Sequence, residues 1–241
     1  MKKVIEFLEL IWIGFANLFF NLWLSLYETL LFGGKLSWWK LRLQFFLNYF
    51  FSRVNWIVKR ESTEFEYDEE NFIYGETSCL AMKKILETLK FKKGDLFVDL
   101  GSGRGLACFY ANFLYGLKTA GYELIPSFVR KARNIASNLK LTDVNFYQED
   151  ILEANISKAK IIFIAGTTFP LSFIGKMSRK LTEAKPGTIV LTLSYNLPDK
   201  YFNLYREMSL PFSWGTSTVF FHIRRNKKVG EKGNKHVVEK I

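Results

Sequence analysis

The sequence predicts an α/β protein, in which a doubly wound, mostly parallel sheet follows a hydrophobic helical hairpin. Two observations predict the sheet. The apolar run Leu96–Leu100 ends abruptly on a glycine-rich turn, and further β-branched runs then alternate with amphipathic stretches along the chain. A third observation predicts the hairpin, because residues 10–27 contain no charged side chain and reach the lower length limit for a membrane-spanning helix.

The N-terminal residues 1–60 are predicted to form a membrane-associating helical segment. Gly33 and Gly34 break the first apolar stretch, and a second runs from about residue 38 to 58. Each stretch carries a polar stripe at helical spacing. The stripes are Asn17, Asn21, Ser25 and Glu28, and Gln44, Asn48, Ser52, Asn55 and Lys59.

Three arrangements of these two stretches remain open. They could pair as a hairpin within the bilayer, lie in the headgroup layer, or form a helical cap packed on the rest of the protein. The density of aromatic residues and the flanking lysines and arginines favour membrane association. Positive charge is denser after the first stretch than before it, which predicts that the C-terminal domain faces the cytoplasm.

The positive charge of the chain is concentrated at its two ends. The formal net charge is +11, yet residues 61–221 hold 19 Lys/Arg against 18 Asp/Glu. A nucleic-acid enzyme would more often carry its basic patch on the catalytic domain, so a nucleic-acid partner is not expected. Two cysteines on separate predicted helices are too few for a zinc site, and no metal is expected.

Two short segments flank the predicted catalytic domain of residues 72–224. Residues 61–71 are acidic and are predicted to be a solvated linker. Residues 225–241 are basic, lack a hydrophobic period and are predicted to be a disordered tail, able to contact anionic lipid or an acidic partner.

The domain opens on the motif Tyr74-Gly-Glu-Thr-Ser78, which precedes a helical pattern. Thr77 or Ser78 is a good helix N-cap, and capping alone would account for the motif. Its position one helix before the glycine turn favours a second role, in which the motif folds over a ligand. Glu76 would then pair with a cationic group and Thr77 would bond a carboxylate.

The glycine turn Gly101-Ser102-Gly103-Arg104-Gly105 is predicted to cradle a nucleoside-bearing cofactor. Glycines let the backbone turn sharply and approach a ligand closely. The helix that follows, residues 106–117, would direct its free N–H groups and positive dipole end at that ligand.

Six further strands are predicted after the first. They cover residues 118–123, 144–148, 160–165, 188–193, 206–211 and 216–224, and the last two form an antiparallel closing pair. Glu123 and Asp150 fall at the ends of the second and third strands, where ligands bind in such sheets. Glu123 could accept hydrogen bonds from ribose hydroxyls, and Asp150 from an adenine amino group, with Ile151 packed on the ring.

The loop departs from two other nucleotide-binding patterns. A dinucleotide fingerprint requires glycine where this chain has Leu106, and a P-loop ends in Gly-Lys-Ser/Thr. The loop with Asp99 two residues before it instead resembles motif I of the class I S-adenosylmethionine-dependent methyltransferases. This resemblance covers residues 72–224. It implies a Rossmann-like, seven-stranded sheet and S-adenosylmethionine as the cofactor.

A closer resemblance is carried by Tyr74-Gly-Glu-Thr-Ser78, a helix, and then residues 95–103. This arrangement is similar to the non-SET histone lysine methyltransferases of the disruptor-of-telomeric-silencing family. Residues 121–126, Phe146 and Tyr147, together with the hydrophobic N-terminus, resemble the membrane-anchored lysine methyltransferases of the ATP synthase c subunit and the adenine nucleotide translocase. The ligand positions implied by these resemblances are Tyr74, Glu76, Thr77, Asp99, Gly101, Glu123 and Asp150.

The acceptor channel is expected after the fourth and fifth strands. The histone enzymes have an asparagine after the fourth strand, whereas this chain has Ala-Gly-Thr-Thr-Phe-Pro at residues 165–170. We predict that the channel is formed by Thr167, Thr168, Phe169 and Tyr195. The alternative, that these are ordinary loop residues, stays open on the sequence.

These patterns predict a methyltransferase that modifies protein lysines at a membrane. Two other functions stay open. One is methylation of a membrane-soluble small molecule of lipid or quinone type, and the other is a cofactor-binding scaffold without catalysis.

Overall fold

The computed structural model describes residues 2–226. Its sheet has seven strands, β1 Leu96–Leu100, β2 Lys118–Glu123, β3 Val144–Gln148, β4 Ile161–Ile164, β5 Ile189–Leu193, β6 Phe202–Phe212 and β7 Gly215–Arg224. The spatial order is β3-β2-β1-β4-β5-β7-β6. The first five strands are parallel, and β7 pairs antiparallel with both β5 and β6. The predicted fold class is confirmed.

Within residues 2–226, seven α-helices accompany the sheet. They are α1 Lys2–Phe32, α2 Leu36–Tyr49, α3 Val54–Glu61, α4 Cys79–Glu87, α5 Leu106–Tyr115, α6 Pro126–Asn138 and α7 Leu171–Lys180. The strand order reverses between β1 and β4, and the carboxyl ends of the central strands surround one crevice at this point. Crevices at such a switch point are the usual ligand sites of open parallel sheets.

The two faces of the sheet bury separate cores because side chains alternate along each strand. Phe97 and Phe163 stack at 6.2 Å within the core that also contains α4, α5 and α6. Val98 and Ile162 point to the opposite face, where Met177 of α7 covers them. The central strands are therefore buried on both sides, as their apolar composition predicts.

The N-terminal helices pack on the α4–α5–α6 face of the catalytic domain. Trp38 is fully buried, and it stacks on Tyr110 at 6.3 Å and contacts Phe113 at 6.0 Å. Phe45 meets Phe109 edge-on at 5.5 Å. Residues of α2 and α3 thus belong to the same buried cluster as the sheet. The predicted domain boundary at residue 60 stays a prediction, since the two parts share a core.

The second apolar stretch forms two helices, with a break at residues 50–53. A side chain of α6 contacts the end of α2 at this break. The ammonium of Lys131, on α6, donates hydrogen bonds to the backbone carbonyl of Asn48 and to the hydroxyl of Ser52. A cation at a helix C-terminus satisfies a free carbonyl and complements the negative end of the helix dipole.

The polar stripes of α1 and α2 face the catalytic domain. Asn21 donates to the Ser213 carbonyl at 2.9 Å, and Gln44 accepts from Asn138 at 2.9 Å. The opposite face of the helices is apolar and exposed. Its large members include Trp12, Leu18, Phe19, Leu22, Trp23, Leu26, Leu30, Trp39, Leu43, Phe46, Leu47, Phe50 and Phe51.

Within the described residues, one helical segment, Trp12–Phe32, is long and apolar enough to cross a membrane on length and composition alone. The predicted basic tail lies almost entirely outside the described residues, which end at Asn226.

Candidate cofactor and acceptor site

A cavity opens at the carboxyl ends of the central strands, between the glycine loop and the chain that precedes α4. All ten residues predicted to bind the cofactor line it, although they come from four separate segments. They are Tyr74, Glu76, Thr77, Asp99, Gly101, Ser102, Gly103, Glu123, Asp150 and Ile151. The fold therefore brings together the positions that the sequence singled out.

The glycine loop is shaped by backbone that other residues rarely adopt. Gly101, Gly103 and Gly105 have φ of +85°, +50° and +86°. At Gly103 a Cβ would lie 2.8 Å from the Tyr74 ring. The loop and the entrance motif therefore touch directly, and a side chain at position 103 would push Tyr74 out of the cavity wall.

Glu123 is hydrogen-bonded to the glycine loop. Its Oε2 accepts a hydrogen bond from the Gly103 N–H at 2.7 Å, and its Oε1 accepts from the Ile125 N–H at 2.9 Å. Burial raises the pKa of this carboxyl. Each carboxylate oxygen has further lone pairs, so Glu123 keeps the capacity to accept hydrogen bonds from ribose hydroxyls.

The carboxyl of Asp99 is buried, and little hydrogen bonding offsets its loss of hydration. It is 2% exposed, and the Cys108 thiol at 4.0 Å is its one hydrogen-bond partner among the described residues. Burial, and then the nearby Glu123, raise the pKa of Asp99 to about 8. A buried acid with unused acceptor capacity in a cavity wall fits a ligand that brings donors or positive charge.

Asp150 has a partner that the sequence reasoning missed. Its Oδ1 accepts from the Leu152 N–H at 2.8 Å, and its Oδ2 accepts a hydrogen bond from the Tyr67 hydroxyl. Burial, then the bond to Asp150, raise the pKa of Tyr67 to about 12. Tyr67 also lies edge-on to Phe173 at 5.5 Å.

The predicted linker therefore contributes to the site. Tyr67 and Asn71 both line the cavity, so residues 61–71 do more than connect two parts of the chain. The aromatic residues Phe65 and Tyr67 within this acidic segment were the available signal, because a solvated linker has no reason to hold aromatic side chains.

The entrance motif is held by a compact polar network. The Tyr74 hydroxyl donates to Glu76 Oε1 at 2.6 Å, and Arg104 Nε donates to the Tyr74 hydroxyl at 3.0 Å. Arg104 also forms an ion pair with Oε1 of Glu76. Oε2 of Glu76 has no hydrogen-bond partner among the described residues, so it can receive a cationic group.

The capping explanation of the motif applies to Ser78. Its hydroxyl accepts from the Ala81 N–H at 3.0 Å, as an N-cap does. Thr77 is buried and lines the cavity. Glu76 and Thr77 are thus free of the capping role that the sequence left open for the motif.

Of the four predicted acceptor-channel residues, one lines the cavity and three lie outside its described wall. Phe169 lines the cavity and meets Phe173 at 4.7 Å. Thr167 and Thr168 lie in the turn before it, and they are not among the described residues that form the cavity wall. Tyr195 is also absent from that described wall; its buried hydroxyl has no partner among the described residues. The roles of all four stay predictions.

Comparison with known proteins gives one family match and several relatives. The model of the family described as "Histone methylation protein DOT1" matches residues 57–140. The chain is 25% identical, over 146 residues, to an H3 lysine-79 specific histone-lysine N-methyltransferase of Cryptococcus neoformans. That match covers 53% of this chain and 22% of the relative, so the chain spans about a fifth of that relative's length.

A second relative has a different substrate in its name. The chain is 33% identical, over 87 residues, to a phosphoethanolamine N-methyltransferase of Plasmodium falciparum. That match covers 34% of this chain and 32% of the relative.

Solved structures agree on the fold. An RNA methyltransferase from Salinibacter ruber, in complex with S-adenosyl-L-homocysteine, matches with a TM-score of 0.54 and 25% identity. The match covers 66% of this chain and 99% of the Salinibacter chain. A geranyl diphosphate C-methyltransferase from Streptomyces coelicolor, also with S-adenosyl-L-homocysteine, matches at 0.51 and 13% identity, over 62% and 76% of the two chains.

The chain has the Rossmann-like fold of the class I S-adenosylmethionine-dependent methyltransferases, and its family match and structural neighbours support a methyltransferase that uses S-adenosylmethionine. The predicted resemblance to the DOT1 proteins is confirmed for residues 57–140, which contain the entrance motif and the glycine loop. The resemblance to the membrane-anchored enzymes stays a prediction.

The cavity of this methyltransferase fits its cofactor. Glu76 Oε2 can accept from the ammonium of the methionine part, and the glycine loop lies where the backbone can approach it closely. Glu123, Asp150 and Ile151 line the cavity at the strand ends. Their roles toward the ribose, the adenine amino group and the face of the adenine ring stay predictions.

Proposed function

We propose that the protein methylates the side-chain amine of a lysine in a protein substrate at a membrane surface. The observation that supports the lysine acceptor is the entrance motif, which lies within the DOT1 match and folds over the cofactor cavity. Histone lysine methylation is stated in the name of the Cryptococcus relative.

The reaction needs little acid or base catalysis from the protein. The cofactor supplies a methyl group on a sulfonium that is already activated. A bond forms between the lysine nitrogen and the methyl carbon while the sulfur–carbon bond breaks. The contribution of the protein is to hold the nitrogen in line with that bond.

The lysine must lose a proton to water before it reacts, because its ordinary pKa is about 10.4. An apolar wall disfavours the ammonium and so lowers this pKa. Phe169, Phe173 and Phe163 supply such a wall beside the cavity. Gly75 packs on the Trp214 ring and Gly166 on the Phe169 ring, so neither position leaves space for a side chain.

The N-terminal helices support the membrane part of the proposal. Phe51 is 95% exposed, Leu30 75% and Trp12 74%. Leu30 and Trp12 lie on α1 and Phe51 lies in the turn after α2, and the polar stripes of these two helices already face the protein. Exposed apolar surface of this extent marks an interaction site. We place the helices in or on a membrane with the catalytic domain on the cytoplasmic side, where the cofactor is available.

A labelling experiment tests the acceptor. Membranes of cells lacking the protein would be incubated with methyl-labelled cofactor and either the wild-type protein or the Glu76→Gln variant. We expect label in a protein band, on lysine by mass spectrometry, with the wild type alone. Label confined to extracted lipid or quinone would contradict a lysine acceptor.

Label confined to lipid or quinone would favour the alternative function, methylation of a membrane-soluble small molecule. The match to a phosphoethanolamine N-methyltransferase and the apolar N-terminal face are the observations in its favour. The entrance motif shared with the DOT1 match makes the protein acceptor the better supported of the two.

Flotation with vesicles of phosphatidylcholine and phosphatidylglycerol tests membrane binding separately. Phe46, Phe50 and Phe51 would be replaced by Ser together. Leu171→Ser is the matched control, because Leu171 is 86% exposed but lies on α7 of the catalytic domain. We expect the triple variant to stay with the unbound protein and the control to float like the wild type. Equal flotation of all three proteins would contradict membrane binding through α2.

A further inference from the structure

The ring of Tyr49, at the end of α2, is approached by two cations of the catalytic domain. The guanidinium carbon of Arg104, in the glycine loop, lies 4.6 Å from its centroid, and the ammonium of Lys131, on α6, lies 4.7 Å from it. Cations at such distances are attracted by the electron-rich ring face, most strongly where water is excluded. Tyr49 is 6% exposed, so this contact is desolvated.

The ring, and not the hydroxyl, makes this contact. The Tyr49 hydroxyl is buried without a hydrogen-bond partner among the described residues. Phe45, one turn earlier on α2, stacks beside Tyr49 at 6.0 Å and also lies 5.6 Å from the guanidinium of Arg104. Two aromatic rings of α2 therefore fix the position of one arginine in the glycine loop.

Arg104 uses its remaining groups to hold the entrance motif. It donates to the Tyr74 hydroxyl and pairs with Oε1 of Glu76. A planar guanidinium can stack on a ring with its face and donate from its edge, which lysine cannot do. Because Tyr74 also bonds Oε1, the two contacts leave Oε2 for the ligand.

We propose that Arg104 is a positioning residue that couples helix α2 to the cofactor site through Glu76. The rings of α2 orient Arg104, and Arg104 orients the carboxylate that would receive the ammonium of the cofactor. The inference rests on the proposed function in that it takes Glu76 to bind the cofactor. It adds that the N-terminal segment, outside the methyltransferase fold, helps to set the cofactor affinity.

Variants of α2 distinguish coupling from simple loosening of the helix. S-adenosylhomocysteine affinity would be measured by calorimetry, and thermal stability alongside it, on the full chain in mild detergent. Tyr49→Ala removes the ring and Tyr49→Phe keeps it. Leu41→Ala removes a buried α2 side chain that has no ring and therefore makes no cation–π contact with Arg104.

We expect Tyr49→Ala to weaken S-adenosylhomocysteine binding about five- to thirtyfold, the range that spans an exposed and a desolvated cation–π contact. Tyr49→Phe should bind within about twofold of the wild type, since the hydroxyl is unpartnered. Leu41→Ala should lower thermal stability but leave affinity within about twofold. Equal losses of affinity in Tyr49→Ala and Leu41→Ala would overturn the coupling, and so would an unchanged affinity in Tyr49→Ala.

A double variant tests whether the effect passes through Glu76. If it does, Tyr49→Ala added to Glu76→Gln should weaken binding little beyond Glu76→Gln alone. Additive losses would overturn the route through Glu76. A wild-type protein that fails to bind S-adenosylhomocysteine would overturn the proposed function itself, whereas normal wild-type binding with additive losses overturns the coupling alone.

Discussion

The carboxylate of Glu28, on α1, accepts a hydrogen bond at 2.9 Å from the backbone N–H of Leu80, in the first turn of α4. The first N–H groups of a helix have no partner within the helix, and the N-terminus carries partial positive charge. Glu28 accepts from one of these N–H groups and brings negative charge to the helix N-terminus, although it lies 52 residues earlier in the chain.

Glu61, on α3, plays the same part for α6. It accepts from the Ser127 N–H at 2.9 Å and from the Ser127 hydroxyl at 2.6 Å. Acidic residues of α1 and α3 therefore cap two helices of the catalytic domain. The helices α1 and α3 are held in place by these caps on one side, and they expose apolar residues on the other.

Removing the Glu28 carboxylate should destabilise the start of α4. Glu28→Ala leaves the buried Leu80 N–H without a partner, at a cost of about 1–3 kcal/mol. Glu28→Gln keeps an acceptor oxygen and should cost less. Hydrogen exchange of the Leu80 amide in the two variants measures the difference. Unchanged exchange in Glu28→Ala would show that the cap does not stabilise α4.

Neutralising Glu76 should weaken cofactor binding. A hydrogen bond to a charged group contributes about 1.5–3 kcal/mol, so Glu76→Gln should reduce affinity for S-adenosylmethionine by about 10- to 100-fold. Tyr74→Phe removes one donor to Oε1 and leaves the carboxylate charged, so its effect should be smaller. Calorimetric titration compares the two, and an equal or larger loss in Tyr74→Phe would contradict a direct contact between Glu76 and the ligand.

A single methyl group in the glycine loop should disrupt the site. Gly103→Ala combines a φ of +50° with a Cβ that would lie 2.8 Å from the Tyr74 ring. We expect at least a tenfold loss of cofactor affinity, since a displacement of the loop removes several contacts together. Gly175→Ala is the matched control, because it lies in α7 with nothing within 4 Å of the added Cβ. Equal affinities of the two variants would contradict the close contact.

The ligand-free protein should lose stability as the pH rises from 6.5 to 8. Burial, and then Glu123, raise the pKa of Asp99 to about 8 in the folded state, above its unfolded value. A group of this kind stabilises the fold fully below its unfolded pKa and loses that contribution as pH rises through the folded pKa. Over this interval the loss should be about 1–2 kcal/mol.

Denaturant unfolding at several pH values measures this effect. The pKa of His222 is lowered to about 4 by burial, so its own influence is confined to pH below 6.5. Asp99→Asn cannot titrate, and its stability should change less with pH than that of the wild type. Parallel pH profiles for the two proteins would show that Asp99 does not titrate in this range.

Several elements of the catalytic domain could be predicted from the sequence, because each depends on residues that lie close together in the chain. Leu96–Leu100 is a strand buried on both faces, and the glycines after it have the positive φ that other residues avoid. Glu123 and Asp150 follow strands whose ends must meet in a parallel sheet, so their convergence could be predicted without coordinates.

The sequence by itself determined the fold class, the residues that converge on the cavity and the apolar character of the N-terminal helices, because these depend on periodicity, on glycine and on residues at strand ends. Only the tertiary structure decided how distant segments meet. The Tyr67 hydroxyl bonds Asp150 and the Tyr49 ring contacts Arg104, and each pair is separated by more than fifty residues. Such contacts follow from packing over long range, which no local pattern encodes.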